Sequence, residues 1–329
     1  MPGVCFFFCF FLQVLTTAVG GQGIASGFRD AISLSWRLKI AISPSCADYD
    51  CLLRGWYTER KQQLERSLAL TIANANYCNE PSRFKAFVRN WALWLVQLVP
   101  SWKYNLELGP RKDGMTRYDH APDTPFLTKY GGGISFPQVF AAYIDQPAPS
   151  LPMFTDDFIF SKQKRGIFQV VALVGDLKQL RNVQDEIIAM GTEYDEDDIL
   201  FLAETTYIVH SQAHLTHNQS SFLDALPSFA NVLRVVGAKE YTAAGETTEA
   251  LARGFPRPEP LDYNADRIYS DLGKDTLFSI VRWDRIVFAS CRSLLELKEA
   301  LGIIEKVLRG TVGGREDVPS VLRQTSSGI

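Results

Sequence analysis

Apolar residues recur at helical spacing three times in the first third of the chain. Over 28–42, Phe28, Ile32, Leu34, Leu38 and Ile42 fall roughly on one face. Over 49–76 the set is Leu52, Leu53, Trp56, Leu64, Leu68 and Leu70, with the run TERKQQLER supplying a charged face. Over 82–99 it is Phe84, Val88, Trp91, Leu95 and Leu98, and Pro100 closes the segment. Each spacing predicts an amphipathic helix. From about residue 103 the pattern breaks into NLELGPRKDGMTRYDHAPDTPFLTKYGGG, whose glycines, prolines and aspartates predict a long irregular connection.

Beyond it, strands and helices alternate. GIFQVVALVG (166–175) predicts a buried strand, and DLKQLRNVQDEIIAMG (176–191) a helix ended by Gly191. ILFLAETTYIVH (199–210) and FANVLRVVG (229–237) are strand-like, and TLFSIVRWDRIVFAS (276–290) predicts a hairpin turning near RWDR. SLLELKEALGIIEKVLRG (293–310) is the last amphipathic helix, followed by a polar tail over 311–329. Strand–helix early and strand–strand–helix late predict a mixed α/β domain.

Composition narrows this little. A chain of 329 residues that is 46% hydrophobic and 22% charged is an ordinary globular protein, and a net charge of −3 offers no electrostatic reason to expect nucleic acid. The chain opens with an apolar run, Val4 to Leu15, that is shorter than the ~20 residues of a membrane span. It has the form of a signal peptide's apolar stretch, with TTA ahead of a cleavage position, yet no Lys or Arg precedes it. A buried segment, or a start foreign to the rest of the chain, are the competing readings.

The cysteines (Cys5, Cys9, Cys46, Cys51, Cys78 and Cys291) include no C-x-x-C pair and no zinc spacing, so they read as reduced buried thiols. A Cys46–Cys51 disulfide is open only to an exported chain. HSQAHLTH sets His210, His214 and His217 at i, i+4 and i+7 but without a carboxylate among them, and no metal site is assigned. EYDEDD (193–198) lacks the glycine and spacing of a calcium loop, and NQS (218–220) fits the glycosylation triplet.

The candidate site is GGQGIASG at 20–27, directly ahead of the first helix. Glycines let backbone approach a ligand closely, and the helix mouth behind them offers unpaired N–H groups and partial positive charge. Together they suit an anion or a ring edge that gains negative charge. A tight turn packed on its neighbours is the plain alternative.

The longer stretch GGQGIASGFRDAISLSWRLKIAI with LLRGWYTERKQQLERS resembles the flavin-dependent aromatic monooxygenases of the phenol-hydroxylase-like group. The match runs through Gly20, Gly21, Gln22, Gly23, Gly27, Arg29, Asp30, Ala31, Leu34, Trp36, Arg37 and Leu38, then Leu52, Leu53, Tyr57, Glu59 and Arg60. KYGGGISFPQVF (129–140), GIFQVVALVG and LFSIVRWDRIVFASCRSLLELKEAL resemble the thioredoxin-like C-terminal domain of the larger members, which usually lacks the redox cysteine pair. The resemblance implies an α/β fold: a helical remnant of a flavin-binding domain over 20–102, then a thioredoxin-like domain over 103–310, behind an apolar leader at 1–19.

It further implies FAD, with Gly20, Gly21, Gln22, Gly23, Ile24, Ala25 and Gly27 along the flavin edge, NAD(P)H as cosubstrate, and O₂-dependent hydroxylation of a small aromatic substrate, as in natural-product metabolism. The family's G-x-G-x-x-G strand–turn–helix and G-D-x-A-H segment are absent from this sequence, so an N-terminally truncated chain that binds FAD weakly or not at all by itself is expected, and no catalytic residue is assigned. A catalytically inactive binding or dimerisation protein, self-associating through the thioredoxin-like domain as a homodimer, is the alternative. The expected location is cytoplasmic, or secreted should the leader be a signal.

Overall fold

The computed structural model describes residues 23–43, 49–103, 117–144, 151–194, 199–210, 231–244 and 263–309. The leader, Gly20 to Gln22, Cys5, Cys9, Cys46, His214, His217, the NQS triplet, most of EYDEDD and the tail lie outside the described residues. Three helices come first: α1 (Gly23–Ala41), α2 (Tyr49–Cys78) and α3 (Arg83–Gln97). The α/β part comes after them as β1 (Phe140–Tyr143), β2 (Met153–Phe154), α4 (Thr155–Ile159), β3 (Phe168–Val174), α5 (Leu177–Tyr194), β4 (Thr206–Val209), β5 (Asn231–Val235), α6 (Ala238–Ala244), α7 (Arg267–Leu272), β6 (Phe278–Arg282), β7 (Val287–Cys291) and α8 (Leu294–Arg309).

The strands form one seven-stranded sheet in the order β2-β1-β5-β4-β3-β6-β7. β3, β4 and β5 run parallel, and β6 and β7 close one edge as an antiparallel hairpin on β3. The order β4-β3-β6-β7, with α5 after the first strand and α8 after the hairpin, is the thioredoxin-like arrangement. β3 is buried along its whole length, as a nearly all-apolar run requires of a strand covered on both faces; Gln169 is its one polar residue. Its residues alternate: Val170, Ala172 and Val174 join one core with Leu180, Ile187, Leu297 and Ile304 of α5 and α8. Val171 and Leu173 join the other, with Phe136, Phe158 and Ile268.

Two element readings shift. Helix α5 runs through Gly191 to Tyr194 rather than stopping at it. The stretch 199–210 is not one strand: Leu202–Glu204 form a 3₁₀ turn before β4. The turn is held because the Glu204 carboxylate accepts from the backbone N–H of Arg165 and Gly166, while Thr205 Oγ1 donates to Leu202 O.

The larger correction concerns α1 and α3, which do not bury their apolar faces; α2 does turn its stripe inward, with Leu52 in the core and Leu53, Trp56, Leu64 and Leu68 half-buried. In α1, Phe28, Ile32, Leu38 and Ile42 are exposed, and the buried stripe is Asp30, Ser33, Trp36, Arg37 and Ile40. In α2 the charged run contributes two buried residues, Glu59 and Arg60. α3 has no buried residue at all, and Phe84, Val88, Trp91, Leu95 and Leu98 all face outward. The reason in α1 is a set of buried ionic partners that outweighs the apolar stripe in orienting it. Gly55 shows how closely α2 is seated: a Cβ there would lie 2.0 Å from the Asp123 carbonyl oxygen, so no larger residue fits that approach.

Candidate functional site

The glycine segment meets the structure at the start of α1. Gly23 is its first residue, with Ile24 and Ala25 in the first turn and Gly27 in the second; Gly20, Gly21 and Gln22 precede the described residues. The first four N–H groups of any α-helix lack intrahelical acceptors, so the backbone of Gly23, Ile24 and Ala25 offers donors that no helix carbonyl takes, at the positive end of the helix dipole. Gly27 gives the test of whether a planar group suits this mouth. A glycine inside a helix costs about 1 kcal/mol relative to alanine. A Cβ at Gly27 would meet no atom within 4 Å, so packing among the described residues does not require the glycine. Open space at Gly27, beside first-turn N–H groups that no helix carbonyl takes, leaves room for the edge of a flat ring.

Behind this mouth stands a buried charge network built from the motif residues. Arg60 of α2 pairs with Asp30 of α1, and its Nη2 donates to Ser26 Oγ at 3.0 Å, so it ties α2 to the second turn of α1. Its other Nη bonds Gln63, whose Oε1 also accepts from Tyr118 Oη at 3.2 Å. Glu59, fully buried, takes Arg37 Nη2 at 2.8 Å and both terminal nitrogens of Arg282 at 2.6 and 2.9 Å. Arg282 reaches on to Asp284 with Nε at 2.9 Å and Nη2 at 2.6 Å, and Asp284 Oδ2 accepts the Trp36 indole N–H at 3.0 Å.

Two arginines and two carboxylates thus close a neutral set that joins α1 and α2 to the β6–β7 hairpin. Burial alone would raise the Asp284 carboxyl, but Arg282, Arg37 and the Trp36 bond hold it below the ordinary carboxylate range. Burial, reinforced by the Arg282 charge, leaves Arg37 below the usual guanidinium value despite Glu59. For Arg282 burial acts in the same direction, yet Asp284 and Glu59 outweigh it and the net shift is upward.

RWDR therefore does more than turn the hairpin: Arg282 and Asp284 are the far half of the junction. The available signal was an arginine and an aspartate inside a run otherwise built of core residues, because isolated charges there need partners.

The position that carries the thiol pair in thioredoxin folds, the start of the helix after the first strand, here reads Gly175-Asp176-Leu177-Lys178. A cavity of about 620 Å³ opens beside it, lined among others by Gln179, His210, Asp266, Tyr269 and Arg292. His210 lies at the end of β4, its Nε2 3.7 Å from Asp266 Oδ1 and its ring edge-on to Tyr269. Of the described cysteines, Cys51 donates to Asp123 Oδ1 at 3.3 Å, and Cys291 is buried, its thiol pushed up to about 12 by desolvation. Neither sits at the helix mouth of α5. No helix among the described residues is long and apolar enough to cross a membrane.

No family model matches the chain. A stretch of 89 residues is 33% identical to 3-(3-hydroxy-phenyl)propionate/3-hydroxycinnamic acid hydroxylases from Escherichia coli (strain SMS-3-5 / SECEC) and Escherichia coli O8 (strain IAI1). The match covers 27% of this chain and 16% of each relative's length. Among solved structures, a thiol-disulfide oxidoreductase from Bacteroides vulgatus aligns over 54% of this chain and 99% of its own, at 14% identity and a TM-score of 0.28. The thioredoxin-like assignment stands on strand order and crossover instead. Part of this chain is similar to aromatic hydroxylases, a monooxygenase kind of enzyme.

Proposed function

We propose that this chain is the flavin-edge and thioredoxin-like part of an FAD- and NAD(P)H-dependent aromatic hydroxylase, acting on a hydroxylated aromatic acid of the class that its relatives' name describes. The observation carrying the reading is the mouth of α1: first-turn N–H groups of Gly23, Ile24 and Ala25 that no helix carbonyl takes, beside an open Gly27 that packing among the described residues does not demand. Gly20, Gly21 and Gln22 would complete that edge. FAD, when bound, would supply the redox chemistry with O₂ and accept hydride from NAD(P)H.

The residues of this chain bind and position. The first-turn N–H groups of Gly23, Ile24 and Ala25 would hold the ring edge that gains charge on reduction, favouring the reduced ring without a charged side chain. Arg60 fixes that mouth through Asp30 and Ser26, and Glu59 fixes α1 and α2 to the hairpin through Arg37 and Arg282. The ADP-binding strand–turn–helix has no counterpart in the sequence, so the chain alone is expected to hold a free isoalloxazine weakly.

Quenching of riboflavin fluorescence tests this. Saturable quenching that Gly27→Leu abolishes, with the helical signal intact, supports the reading; no quenching by millimolar protein overturns it. The second reading, an inactive assembly protein, is favoured by the outward apolar residues of α1 and α3. A dimer in sedimentation with no response to riboflavin would select it.

A further inference from the structure

A cleft of about 460 Å³ separates α1 from the segment leading into β3. Its apolar lining comes from Trp36, Ile167 and Trp283, and its charged lining from Lys39, Lys164 and Arg165; no carboxylate of the described residues lines it. Size and make-up suit one ring-sized organic molecule.

Lys164 distinguishes this cleft from a surface groove. It is 8% exposed, and among the described residues its Nζ has one hydrogen-bond partner, the buried hydroxyl Oγ1 of Thr206 at 2.6 Å. The nearest acidic influence is Glu204 on the 3₁₀ turn, but its oxygens already accept from Arg165 N, Gly166 N and Gln169 Nε2. The other charged groups at the cleft are cations. Lys39 of α1 donates to Arg165 O at 3.5 Å, and the Arg165 guanidinium stacks on the Phe201 ring. A buried ammonium has three donors and needs acceptors. Here one hydroxyl answers it, and the remaining capacity is unmet.

We infer that this cleft is a binding site for a planar aromatic carboxylate, whose ring lies along Trp36 and Trp283 and whose anionic group is received by Lys164 with Lys39 at the rim. Desolvation lowers the Lys164 amine to about 7, so at slightly alkaline pH the empty cleft holds it neutral. A bound carboxylate favours the ammonium, and binding therefore draws a proton from solvent. The site is separate from the α1 mouth and requires nothing of the flavin reading.

Calorimetric titration of the full chain with 2-naphthoate at pH 8, in two buffers of different ionisation enthalpy, tests the inference. One site per chain is expected, with about one proton taken up per ligand. Lys164→Met is expected to weaken binding about ten- to hundredfold and to remove the proton uptake, since a charge-assisted hydrogen bond is lost. Lys164→Arg is expected to restore binding without the uptake, because guanidinium is charged throughout.

The neutral analogue 2-naphthamide should bind no better than Lys164→Met binds the acid. A thermal melt of Lys164→Met at or above the parent's shows that lost binding is not lost folding. Binding that survives Lys164→Met unchanged, equal binding of the amide, or no binding by millimolar naphthoate each overturns the site.

Discussion

Among the described residues, two of the places that bury positive charge do it in opposite ways. At the junction of α1, α2 and the β6–β7 hairpin, Arg37 and Arg282 meet Glu59 and Asp284, and each guanidinium finds carboxylate oxygens. At the cleft beside β3, Lys164 meets a single hydroxyl. Charge taken out of water is tolerated when carboxylates neutralise it, even with Arg37 Nε left without a partner, and remains a latent binding capacity when only a hydroxyl reaches it. The first arrangement holds parts of the chain together, and the second is available to something else.

Removing one member of the complete set should be the most damaging change. Glu59→Gln leaves Arg37 and Arg282 buried against one remaining carboxylate, and a loss of about 3–5 kcal/mol is expected in urea unfolding. Arg60→Met, by contrast, should loosen the α1 mouth more than the hairpin, which hydrogen exchange at residues 26–30 would register as faster opening.

The incomplete site should respond with the opposite sign. The folded-state value for Lys164 lies near 7, below the 10.5 of an unfolded lysine, so between those values the unfolded chain binds more protons. Stability contributed at this position therefore climbs as pH rises from about 7 to about 10.5, and below 7 the native state carries the full penalty. Lys164→Met should abolish the climb and raise stability at pH 6 by on the order of 3 kcal/mol, read as the urea midpoint against pH. A loss at pH 6 would mean the ammonium is better partnered than its geometry indicates.

Smaller still is Trp36→Phe, which keeps an aromatic ring between the two guanidiniums but gives up the indole bond to Asp284; about 1–2 kcal/mol is expected. Trp91→Ser on α3, whose side chain is 56% exposed, should move the midpoint by no more than about 0.5 kcal/mol. A large loss there would show that α3 is covered in solution.

Much of the architecture was legible because it is written in local pattern. The nearly all-apolar run of β3, the strand–turn–strand rhythm around RWDR and the spacing of α8 each point to one element, and the structure contains all three. The orientation of α1 was not legible in that way. Apolar periodicity picks Phe28, Ile32 and Leu38 as the inward stripe, whereas the helix turns Trp36 and Arg37 inward because partners lie 22 residues away on α2 and 248 away on the hairpin. Periodicity cannot register such partners. The motif Asp30, Trp36, Arg37, Glu59 and Arg60 was visible as a resemblance, but its role at the junction needed Arg282 and Asp284 beside it. Lys164 left no trace in the sequence at all: its neighbours SKQKRG read as an ordinary polar turn.

The bond from Glu59 to Arg282 spans 223 residues. During synthesis, at about 5–20 residues per second, the amino-terminal helices would wait on the order of ten seconds or more before the arginine that completes their attachment leaves the ribosome. For that interval two carboxyl-bearing, aromatic-rich helices stand without their counterpart, so the last hairpin to be made is also the clasp that ends the chain's most exposed period.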